Sequence, residues 1–99
     1  MDLKDIHPDM MRSHIGSEFR VMGLPGGPVS LTLDEVVERE ITPRTETFSI
    51  FFHGPAEPFL AQDTRTLEHE GLGKLVLFLV PVGRDSRGYQ YEAAFNHLL

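Results

Sequence analysis

The spacing of apolar residues changes twice along the chain, and each change predicts a different element. From Pro8 to Ile15, Met10, Met11 and Ile15 fall on one side of a short helix; Pro8 is preset for its first position and Gly16 supplies the left-handed residue that ends it. From Glu18 the period becomes two: Phe19 and Val21 alternate with Glu18 and Arg20, and Gly23 to Pro28 turns the chain through Pro25, Gly26 and Gly27 into a hairpin. The next strand, Val29 to about Ile41, places Val29, Leu31, Leu33, Val37 and Ile41 on one face, but Glu35 and Arg39 fall on the same face. A bulge near Asp34 and Glu35, or a bend carrying the strand past the edge of the core, resolves that conflict.

Pro43 ends this strand, and Thr47 to His53 follows with Phe48, Ile50 and Phe52 on one side and Phe51 on the other. Phe51 then needs its own cover, which the Pro-broken segment Gly54 to Thr64 is expected to provide through Phe59 and Leu60. Three further strand runs, Thr66 to His69, Lys74 to Val82 and Gly88 to Phe95, are separated by turn residues and predict a meander. Its middle strand is apolar on both faces, Leu75, Leu77 and Leu79 on one and Val76, Phe78 and Val80 on the other, so packing is expected on each side. The predicted fold is a mainly β single domain over residues 1–99: a small antiparallel barrel or sandwich of about six strands with a short N-terminal helix and a C-terminal three-stranded meander.

Composition narrows the function more than it identifies one. A chain of 99 residues buries roughly two-thirds of its surface on folding and needs no staple. The absence of cysteine removes disulfides, a thiolate nucleophile and cysteine-based zinc sites. The N-terminal stretch has no basic patch followed by an apolar run, and the longest apolar stretch, Leu75 to Val82, is too short to span a bilayer, so a cytoplasmic location is expected. A net charge of -6 with scattered basic residues disfavours nucleic acid and anionic membrane as partners.

The candidate chemistry is sparse. Five histidines, His7, His14, His53, His69 and His97, show no metal-ligand spacing, so neither a metal nor another cofactor is expected. His69, flanked by Glu68 and Glu70, reads as a partly buried histidine hydrogen-bonded beside a turn. Ser49 and His53 lie four residues apart on one strand face without a nucleophile elbow. The glycines from Gly23 to Gly27 carry two prolines nearby and no following Lys-Ser or Lys-Thr, which argues for a turn over a phosphate loop. Asp34, Glu35, Glu38 and Glu40 read as a solvated strand edge. No catalytic residue emerges.

The segments Phe48 to Pro55, Leu67-Glu68-His69, Leu72-Gly73, Leu77 to Gly83 and Tyr91 to Asn96 together resemble a family of small uncharacterised bacterial domains with the pattern FSLLFRGP…LEHPELGELELFLVPVG…YEAVFN. The resemblance covers about half the chain. It departs at His53, where Arg is usual, at Glu70-Gly71, where Pro-Glu is usual, and at Thr66, where an aromatic is common. It implies a short bacterial protein, sometimes encoded near phage-tail proteins, and carries over no catalytic residue.

These readings lead to an expectation of a non-enzymatic protein-interaction or assembly module, as an accessory or structural part of a phage-tail-like assembly. Its partner is another protein, or a second copy through a free strand edge. Phe51, Phe59 and Leu60 are the expected interaction residues, with Phe59 and Leu60 presented by their loop. The alternative is a barrel that holds a small ligand in its interior.

Overall fold

Alternation of apolar and polar residues builds six antiparallel strands in the computed structural model, which describes residues 1–99: β1 (Glu18–Val21), β2 (Val29–Ile41), β3 (Thr45–Gly54), β4 (Asp63–His69), β5 (Gly73–Asp85) and β6 (Gly88–Leu98). Their hydrogen bonds run in the order β1-β2-β3-β6-β5-β4 and return from β4 to β1, so the sheet closes on itself. The expected meander is β4-β5-β6. Closure is narrow: β1 and β4 are joined in register at Arg20–Glu68 and Val21–Leu67, extended by the Met22 amide donating to the Thr66 carbonyl at 2.8 Å.

Inward-facing residues of all six strands form one cluster, with Phe19, Phe48, Phe52 and Tyr91 its largest members. They fill the interior. At one end of the ring the strands separate, because β5 pairs with β4 through Leu79 but with β6 only from Val80 onward. The N-terminal segment fills that opening. A single 3-10 turn, Leu3–Asp5, lies against β5; Ile6 is fully buried; and the helix α1 (Pro8–Arg12) packs on β2 with Met11 inward. Polar contacts pin the plug: His97 Nε2 donates to the Ile6 carbonyl at 3.0 Å, His7 Nδ1 lies 2.9 Å from Glu46, and Arg12 bonds Glu38 at 2.9 Å.

Several sequence expectations need correction. The helix stops at Arg12, leaving Ile15 half-exposed, because the chain must turn at Gly16, whose φ is +89° and whose amide donates to the Leu33 carbonyl at 2.7 Å. The bulge in β2 does fall between Leu33 and Glu35, and its consequence is that Val36 points inward, not Val37; after a second irregularity between Glu38 and Glu40, Ile41 is half-exposed. The outer row of β5 has no full layer over it: Val76 and Phe78, and further along Val82, are each about half-exposed while Val80 is only partly covered, since a sheet that closes on itself has only its inner face to cover. No helix is long and apolar enough to cross a membrane.

Candidate functional site

The end of the ring opposite the N-terminal plug is covered by the β1–β2 loop and the segment between β3 and β4. Pro25 and Pro28 in the first and Pro55 and Pro58 in the second prevent regular pairing, so neither loop can extend the sheet. Between them lies an open cleft of about 720 Å³. Leu24, Pro25 and Pro28 form one wall, Pro58, Phe59 and Leu60 the other, and Glu57 and Arg65 supply charge.

Leu60 and Phe59, adjacent in sequence, have different roles. Leu60 is 3 % exposed and closes the core; its amide donates to the Tyr91 hydroxyl at 3.0 Å, and burial raises the Tyr91 pKa above the usual phenol value. Phe59 is 51 % exposed, resting edge-on against Tyr89 with ring centroids 4.8 Å apart, and the Arg84 guanidinium stands 5.3 Å from the Tyr89 ring. Of the two loop residues, Phe59 is the exposed one, while Leu60 is a buried part of the cleft wall.

Phe51 is not under this loop. It lies on the outer face of β3, in a separate shallow groove of about 460 Å³ with Glu35, Val82 and Gln90, so the structure joins Phe59 with Leu60 and leaves Phe51 apart. The groove borders a polar cluster at the β2 bulge. His53 Nδ1 is 2.6 Å from Asp34, and Arg87 Nη2 is 3.3 Å from both Asp34 and Asp85. Arg87 Nη1 is also 3.2 Å from His53 Nδ1, but that nitrogen cannot both donate to Asp34 and accept from Arg87; the shorter carboxylate contact decides it as a donor. No hydroxyl is bonded to His53, and Ser49, its neighbour along the strand, donates instead to Glu92 at 2.5 Å. Sequence spacing could not reveal the Asp34–His53 pair, since the bulge sets their approach.

His69 and Ser17 form the remaining polar pair, in a pocket beside Glu70 and Gly71. The Gly71 and Leu72 amides both donate to His69 Nδ1, at 3.0 and 3.1 Å, so Nδ1 carries no proton and Nε2 donates to Ser17 Oγ at 2.8 Å. Ser17 in turn donates to the His14 carbonyl at 2.5 Å. Donation runs from histidine to serine, the reverse of base activation, and the expected hydrogen-bonded histidine beside a turn is what the geometry contains. Nowhere do three His, Cys, Asp or Glu residues gather in a way that could hold a metal ion.

Burial is the first cause that holds the His69 pKa below the ordinary histidine value; the charge of His14 and, more weakly, Arg20 act the same way, while Glu70 opposes. A lowered pKa in the fold means that the unfolded chain takes up the proton more readily. This contribution to stability is therefore complete above about pH 6.5 and is lost as pH falls from there through the folded-state value. The urea midpoint of the wild type is expected to fall between pH 7 and pH 5 by more than that of His69→Gln; equal declines would assign the acid sensitivity to other groups.

No curated protein and no solved structure matches the chain. A family model, that of a domain of unknown function, matches residues 6–95. The match runs from Ile6, the first buried residue of the plug, to Phe95, the last buried residue of β6, so it spans the whole core. The chain belongs to the DUF6916 family of domains of unknown function.

Proposed function

We propose that this domain is a non-enzymatic protein-interaction module that meets its partner at the loop end of the ring, with Phe59 as the principal apolar contact. The observation that carries this reading is Phe59 itself, a large aromatic half-exposed on the rim of a preformed cleft while its neighbour Leu60 is locked into the core. Phe51, in its separate groove on β3, is a secondary contact. A cytoplasmic setting and a place in a phage-tail-like assembly, as accessory or structural part, complete the proposal. The uncovered row of Val76, Phe78 and Val82 on β5 supports a second reading, in which the same domain is also an assembly subunit.

A small ligand held inside the ring is less well supported, because aromatic and aliphatic side chains fill that space and the three cavities lie at the surface. Tagged wild-type protein and two folded variants, Phe59→Glu and Phe51→Glu, distinguish the surfaces when exposed to lysate of the source organism and read by mass spectrometry. Phe59→Glu is expected to lose a partner that the wild type retains, with at least a tenfold loss of recovery, while Phe51→Glu loses less. Equal retention by all three proteins would remove the loop end from the interaction.

A further inference from the structure

Arg65, on β4, lines the cleft and is partly buried there without an ion-pair partner. Arg12, Arg20, Arg39 and Arg87 each lie within 4 Å of a carboxylate. Arg44, Arg65 and Arg84 do not, although the chain has 15 acidic residues against nine basic ones, and of these three Arg65 alone is partly buried while Arg44 and Arg84 lie in solvent. Arg65 Nη2 donates to the Ala61 carbonyl at 2.7 Å, and its Nε is buried without any acceptor. A partly buried guanidinium with an idle donor and no carboxylate within 4 Å is an arrangement that a ligand carboxylate completes, since planar N–H pairs match carboxylate oxygens. Around it the walls are apolar: Leu24, Pro25, Pro28, Phe59 and Leu60.

We propose that the cleft binds a partner-protein segment in which a carboxylate adjoins an apolar side chain, the carboxylate pairing with Arg65 and the side chain lying between the proline walls and Phe59. This rests on the interaction-module reading and adds the chemistry of the partner. The cleft is open and Phe59 rises at its rim, which suits a peptide passing over it better than an enclosed small molecule. Proline fixes φ on both walls, so little ordering is needed on binding. Glu57 lines the same cleft without pairing to Arg65, and its charge opposes the incoming carboxylate.

Amide NMR of the intact chain tests the proposal with three probes: acetyl-Leu-Phe with a free terminal carboxylate, the same peptide as its terminal amide, and hexanoate. The free-carboxylate peptide is expected to shift Leu24, Gly27, Phe59 and Leu60 and the Arg65 Nε–H, binding about tenfold more tightly than the amide form. Arg65→Gln, whose remaining spectrum reports an intact fold, should erase that difference, and Glu57→Gln should increase affinity about twofold. Equal binding of acid and amide peptides, or shifts confined to other surfaces, overturns the proposal. Hexanoate binding as tightly as the peptide overturns the partner segment in favour of free small carboxylates. If no probe moves the cleft while Phe59→Glu still abolishes partner recovery, the carboxylate proposal fails and the interaction reading stands.

Discussion

Gly88→Ala is expected to lower stability by about 3 kcal/mol or more, among the largest effects of any single methyl in this chain. Two causes coincide at this position. Gly88 opens β6 at φ +137°, a backbone region that residues with a Cβ rarely enter. A Cβ there would also collide with the Gly54 carbonyl oxygen and approach Pro55 C to 2.6 Å and Ala56 N to 2.8 Å. These obstacles are backbone atoms, which cannot swing aside as the tip of a side chain can. The chain leaving β3 passes over Gly88 on its way to the cleft loop, so relief of the clash would displace the segment that carries Phe59. Gly73→Ala is the control: its φ is +76°, yet nothing lies within 4 Å of the added methyl, and about 1 kcal/mol of strain is expected. Urea unfolding followed by circular dichroism measures both, and a Gly88→Ala loss no greater than that of Gly73→Ala would show that the crossing segment yields freely.

The elements that alternation predicted are those where a single physical signal acts alone. Phe48, Ile50 and Phe52 turn inward because period-two spacing has one solution, and the glycine- and proline-bearing turns at Gly23 to Pro28 and around Gly71 interrupt it. β2 shows where the signal divides. Glu35 and Arg39 announced a conflict, but an added residue can sit on either side of Asp34, and only the register against Phe52 and Phe51 decides that Val36 takes the inward place. For β5, apolar residues on both faces suggested two covering layers. A closed ring needs one, and Val76 and Phe78 remain at the surface.

The candidate site was legible in residue type and illegible in grouping. Phe59 and Leu60 stood out as apolar residues on a proline-bearing loop, but one-residue neighbours can face opposite ways, and the Tyr91 hydroxyl that draws Leu60 inward lies 31 residues away. Arg65 carried no sequence signal at all. Its meaning comes from what surrounds it: one backbone carbonyl, the apolar residues of the two walls, and a carboxylate, Glu57, that shares the cleft without pairing to it. The separation of Phe51 from the loop likewise depends on closure of the ring, which local spacing does not encode.

Phe19→Ala should destabilise the protein by about 3–5 kcal/mol and open the ring at a particular seam. Phe19 is fully buried on β1, the shortest strand, whose contact with β4 comprises two register pairs. With so few backbone bonds at the seam, side-chain packing must hold β1 in place. The Phe19 ring lies 5.2 Å from Phe52 in a T-shaped pair and 4.4 Å from His69, so it ties β1 both to β3 across the interior and to β4 at its side. Each aromatic contact adds about 0.5–1.5 kcal/mol to the burial itself. Phe19→Leu keeps most of the volume and should lose no more than about 1.5 kcal/mol. Hydrogen exchange locates the damage: in Phe19→Ala the amides of Val21 and Met22 should lose protection ahead of Phe48 and Ile50 in β3, because β3 remains bonded to β2 and β6. A uniform loss across all strands would instead mean that the seam and the rest of the ring open together, and that closure does not depend on this one ring.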